Sequence, residues 1–66
     1  MSYDDWKPLY RKLTKTYGKT DNAEQCAAYF EVLRGISAQT MADAVIRTIS
    51  DVKFFPKPAE LKERAQ

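Results

Sequence analysis

Helix-breaking residues at Gly18, at Gly35 and along Phe54-Phe55-Pro56-Lys57-Pro58 cut this 66-residue chain into short segments, each carrying apolar side chains at helical spacing. Isolated helices below about 12–15 residues are marginal in water, so such segments must bury their apolar stripes against one another. The expected fold is all-α: a small bundle of about four short helices over residues 5–17, 22–34, 38–53 and 58–64, forming one helical domain across 1–66.

In the first segment Trp6, Leu9, Tyr10, Leu13 and Tyr17 recur at three and four, with Asp5 as the expected N-cap and Pro8 in the first turn. Gly18 suits the left-handed stop. The stretch Asp21-Asn22-Ala23-Glu24 reads as a capping box for a second helix, whose buried face is expected to hold Ala23, Cys26, Ala27, Phe30 and Leu33, with Tyr29 at its edge and Gly35 ending the run. Ser37 caps a third helix that turns Met41, Val45, Thr48, Ile49 and Val52 inward and Asp43, Arg47 and Ser50 outward. The join through Gly35-Ile36-Ser37 is short, and short joins make sequential helices spatial neighbours. Residues before proline are driven to extended backbone, so the third helix must break at Phe54-Phe55-Pro56. Pro58 then opens a short fourth helix whose one large apolar residue is Leu61.

Composition excludes most catalytic chemistry. There is no histidine and only one cysteine, Cys26, so the usual zinc sets and Cys–His pairs cannot be assembled within one chain, and no intramolecular disulfide can form. Gly18 and Gly35 stand alone at helix ends and make no phosphate loop. The acid pairs Asp4/Asp5 and Glu60/Glu63 read as a helix start and an exposed short helix. No enzyme activity, cofactor, metal or small-molecule substrate is expected. The formal charge of +2, from 11 Lys and Arg against 9 Asp and Glu, is too mild to imply nucleic acid by itself. No stretch approaches the roughly 18 apolar residues of a membrane span, no secretory leader is evident, and a small domain without disulfides fits a reducing, cytoplasmic interior.

Surface recognition is what remains. Lys7, Arg11 and Lys15 recur every four residues opposite the apolar stripe, flanked by Lys12 and Lys19, as a basic ridge. This ridge reads first as a solvated helix face and second as a contact for phosphates or an acidic partner. Tyr10 and Ile46 lie off the main stripes and are candidate exposed partner contacts, alongside Lys7, Arg11 and Lys15. Cys26 sits among apolar neighbours and is expected to be an inert core thiol.

The run Trp6…Leu9…Leu13…Tyr17, then Tyr29-Phe30-Glu31-Val32-Leu33, then Ala44-Val45 through Ile49 to Phe54-Phe55-Pro56-Lys57-Pro58-Ala59-Glu60-Leu61, resembles the N-terminal domain of phage replicative-helicase loader/inhibitor proteins. The matching positions are structural: Trp6, Tyr29, Phe30 and Leu33 for the core, and Phe54, Phe55, Pro56, Pro58 and Leu61 for a corner in which both phenylalanines are expected to plug the end of the bundle. The resemblance implies an all-helical domain without enzymatic activity that binds the host's ring-shaped replicative helicase in phage or prophage DNA replication, as loader or inhibitor. Family members commonly extend into a flexible C-terminal tail, whereas this sequence stops at Gln66, as an excised N-terminal domain would. Two other readings stand beside it. One is a nucleic-acid-binding module pairing the second and third helices in helix-turn-helix fashion; the other is a small phage inhibitor of another host enzyme, such as a defence nuclease.

Overall fold

Ser2, rather than Asp5, starts the first helix. Its hydroxyl accepts from the Asp5 N–H at 3.1 Å while the Asp5 carboxylate accepts from the Ser2 N–H at 3.1 Å, a reciprocal capping box. Asp5 thus belongs to the cap, but three residues inside it. The computed structural model describes residues 1–65, with α1 at Tyr3–Tyr17, α2 at Ala23–Leu33, α3 at Ala38–Asp51 and α4 at Pro58–Arg64. Pro8 consequently lies in the body of α1 and not in its first turn. It sits on the solvent side, where the hydrogen bond its ring nitrogen cannot donate is lost next to water.

Other boundaries follow the local chemistry. Gly18 adopts φ 68°, ψ 31° and closes α1 with its N–H on the Thr14 carbonyl, as expected of a left-handed stop. At α2 the cap is Asn22, whose side chain accepts from the Gln25 N–H at 3.0 Å, so the box anticipated from Asp21 to Glu24 does not form. Asp21 faces Arg11 instead. Gly35 is not left-handed: α2 ends on Arg34 in right-handed geometry, and the Ile36 N–H turns back to the Leu33 carbonyl at 3.0 Å. The Met1 nitrogen also reaches this turn, at 3.0 Å from the Arg34 carbonyl and 2.9 Å from that of Ile36. Ser37 caps α3 as expected. That helix stops at Asp51, two residues early, because Val52 is already extended at φ −114°, ψ 131°.

The helices form a ring. α1 packs on α2 and α3, and α4 packs on the same two, while α2 and α3 face each other across the core without backbone contact. This overturns the expectation that the short 34–37 join makes α2 and α3 neighbours. A tight turn fixes where the next helix begins but not the direction in which it leaves.

All four helices feed one core: Trp6, Tyr10 and Leu13 from α1, Cys26, Tyr29 and Leu33 from α2, Met41, Ala44 and Val45 from α3, and Leu61 from α4. α2 is rotated relative to the sequence reading. Tyr29 is a buried centre and not an edge, Phe30 is half-buried, and Ala23 and Ala27 face solvent. The reason is size, since α2 must reach both α1 and α4, and two alanine methyls bury far less area than the phenol ring.

Polar atoms inside are paired throughout the described residues. The Trp6 indole N–H donates to the Cys26 carbonyl at 3.0 Å, the Thr48 hydroxyl to the Ala44 carbonyl at 2.8 Å, and the Tyr29 hydroxyl to the Pro56 carbonyl at 2.8 Å. Around Tyr29 the rings of Trp6, Tyr10 and Phe55 lie with centroids 6.0–6.4 Å away. Phe55 therefore plugs the bundle as expected, and Pro56 and Leu61 are fully buried. Phe54 does not, being 79% exposed. The chain bends at residues 53–54 as it leaves α3, and the two adjacent rings part there, Phe55 towards the core and Phe54 to solvent.

Tyr29→Phe is expected to lower stability by about 1–3 kcal/mol, because it leaves a buried carbonyl without its donor. A drop in the thermal midpoint followed by far-UV circular dichroism measures this. The capping box also sets an acid limit. The Ser2 N–H, then its hydroxyl, hold the Asp5 carboxyl below its ordinary value of 3.8, so its contribution is present above that value and lost as pH falls through the lowered one. A circular-dichroism titration should show helix lost over this acid range, and Asp5→Asn should remove that component.

Candidate interaction surface

Helix α1 carries three of the five proposed contact residues onto one groove. Lys7, Tyr10 and Arg11, a turn apart, meet Asp21, Asn22, Ala23 and Cys26 from the start of α2, with Tyr3 closing one end, around a hollow of about 290 Å³. Lys15 lies a further turn along α1, and Ile46 is on α3.

Tyr10 is not an exposed contact. It is 1% exposed, its ring is part of the aromatic cluster, and its hydroxyl donates to the Gln25 side-chain oxygen at 3.0 Å. Its place in the apolar spacing of the first segment holds, and its expected role as an exposed contact does not. In the ring α1 has two partners, α2 and α3, and its buried arc widens to include residue 10. Burial pushes the Tyr10, Tyr17 and Tyr29 phenols above their ordinary value. All three hydroxyls therefore remain protonated donors at neutral pH. Tyr17 uses this at the far end of α1, where its hydroxyl lies 2.8 Å from the Val52 carbonyl and 3.2 Å from that of Thr48.

The basic ridge is partly neutralised. The Lys7 ammonium is 3.3 Å from the Asp4 carboxylate and 5.5 Å from the centre of the Tyr3 ring, and the Arg11 guanidinium is 3.6 Å from Asp21. Exposed pairs of this kind contribute only about 0–1 kcal/mol to stability, but they cancel the field a phosphate would feel. Lys12, Lys15 and Lys19 are exposed and form no ion pair among the described residues. The ridge thus survives only at the C-terminal end of α1.

Ile46 is 54% exposed, as expected of an outward residue on α3. Phe54, which the sequence reading placed in the core, is the most exposed of the large apolar side chains, and Val32 is also out. Pro56 disfavours helical backbone at Phe55 but puts no constraint on Phe54, so no signal in the sequence told the two rings apart. Tyr3 was likewise missed as a groove residue. It entered only because the true cap at Ser2 starts α1 at residue 3 and not at residue 5.

Among the described residues no group of three or more Cys, Asp or Glu side chains is placed to hold a metal ion, and no helix is long and apolar enough to cross a membrane. Cys26 is 5% exposed and belongs to the core. Its alkylation by a thiol reagent should be at least about 100-fold slower in native protein than in denaturant, since reaction requires an opening of α2 away from α1. Equal rates would show that the α1–α2 seam is not closed. Comparison of the chain with protein-family models, with characterised proteins and with solved structures finds no match.

Proposed function

We propose that this domain is a phage or prophage DNA-replication accessory protein that binds the host replicative helicase, as loader or inhibitor, and performs no chemistry of its own. The observation that supports this reading is the corner from Phe54 to Leu61. It is the most distinctive part of the resemblance to helicase loader/inhibitor domains, and its parts fit together physically: Phe55 enters the aromatic cluster, Pro56 is held by the Tyr29 hydroxyl, Pro58 opens α4 and Leu61 returns to the core.

Nucleic-acid binding draws less support. A helix-turn-helix needs its two helices packed together with one presented to the groove, whereas α2 and α3 lie across the core from each other. Arg47 is the only basic side chain within α3. Two ridge cations are also engaged by carboxylates.

The test is titration of the domain against a purified bacterial replicative helicase, with its ATPase and DNA-unwinding rates recorded at each step. Saturable binding together with a changed rate is the expected outcome. Absence of binding with both rates unchanged would overturn the proposal.

A further inference from the structure

Single exposed apolar residues are ordinary on protein surfaces and carry no meaning by themselves. Phe54 differs because the backbone that carries it is fixed from both sides. Before it, the Val52 carbonyl accepts from the Tyr17 hydroxyl at 2.8 Å. After it, Phe55 lies edge-on to Tyr10, Tyr17 and Tyr29 with ring centroids 5.9–6.3 Å apart. Pro56 is then fully buried with its carbonyl on the Tyr29 hydroxyl. Phe55 is turned inward, and Phe54, on the bend at residues 53–54, is turned out to solvent. The ring cannot be folded away without breaking the aromatic cluster, so the fold displays it.

The nearest charged residue on each side of it in sequence is a lysine. Lys53 and Lys57 flank the ring, are exposed, and form no ion pair among the described residues. Asp51, the nearest acid in sequence, is engaged by Arg64 at 3.3 Å. A rigid aromatic knob between two unopposed ammonium groups is complementary to an apolar pocket with carboxylates on its rim. Aromatic anchors seated in such pockets dominate binding energy, and a loop already held in place loses little entropy on docking. Single-stranded nucleic acid is the weaker fit, because stacking platforms line successive aromatics along a basic groove, and here one ring stands on a convex corner.

We infer that the corner Lys53-Phe54-Phe55-Pro56-Lys57 is a protein-docking knob, with Phe54 inserting into an apolar pocket rimmed by acidic side chains on the partner and Lys53 and Lys57 pairing with that rim. This rests on the function proposed above only in taking the partner to be a protein.

The experiment compares the wild-type domain with Phe54→Ala, the double variant Lys53→Glu/Lys57→Glu and Val32→Ala. Each is immobilised against purified replicative helicase, against bacterial lysate with retained proteins identified and then titrated, and against an oligo-dT strand. Thermal melts confirm that each variant folds; Phe54→Ala removes no buried contact and should melt as wild type. The expected result is a protein bound by wild type whose affinity falls at least about tenfold with Phe54→Ala, the size of effect typical of an anchor residue. Charge reversal should weaken it further as salt is lowered, while Val32→Ala stays within about twofold. If the helicase binds wild type and Phe54→Ala equally, the docking knob is overturned and the helicase reading stands. A different protein released by Phe54→Ala upholds the knob and overturns the helicase reading. Oligo-dT binding that depends on Phe54, or no protein that distinguishes wild type from Phe54→Ala, overturns the knob.

Discussion

The hydrogen bond from Tyr29 to the Pro56 carbonyl joins the middle of the chain to its last turn. A phenol at the centre of the core could sit there only with a partner for its hydroxyl, because a buried donor left unpaired costs several times what the bond itself contributes. The corner supplies that partner, since a residue after two phenylalanines and within a Pro-Lys-Pro run has a carbonyl that no helix is using. Tyr29 in turn supplies the surface against which Phe55 packs. The same contact therefore satisfies the core and locates α4, which at Pro58–Arg64 is too short to be stable by itself.

Aromatic rings do most of the joining elsewhere. Trp6 links α1 to α2 through its indole N–H and through a near-parallel contact with Tyr29, and Tyr17 links the end of α1 to the end of α3. A chain of this size buries a smaller fraction of its surface than a larger domain, and it compensates with wide rings whose polar tips find backbone carbonyls. The radius of gyration of 10.4 Å matches the roughly 11 Å expected of a compact chain of this length.

The surface is correspondingly plain. Its charges are mixed, the ridge on α1 is half cancelled by Asp4 and Asp21, and in the groove beside α2 Lys7, Tyr10 and Arg11 are already engaged by Asp4, Gln25 and Asp21. Against that background the corner stands out as the place where an exposed apolar ring and two lysines outside any ion pair coincide on a backbone anchored on both sides. The features that hold the fold together and the feature offered for recognition occupy the same five residues, with Phe55 and Pro56 turned in and Phe54, Lys53 and Lys57 turned out.

The amino-acid sequence determined the number of helices, their approximate limits, the stop at Gly18 and most of the core, because each depends on spacing or on the backbone chemistry of single residues. It also determined that Cys26 lies inside and that Ile46 lies outside. Exact caps escaped it, since Ser2, Asp5, Asp21 and Asn22 can all accept at a helix start and only the competing partners, such as Arg11 for Asp21, choose among them. Only the tertiary structure decided that α2 and α3 stand apart, that Tyr10 is buried and that Phe54 is not. Each of those follows from the direction in which a helix leaves its turn and from how many neighbours it then meets. Neither quantity is carried by the periodicity of one segment, because a hydrophobic stripe records that a face is covered and not what covers it or how widely.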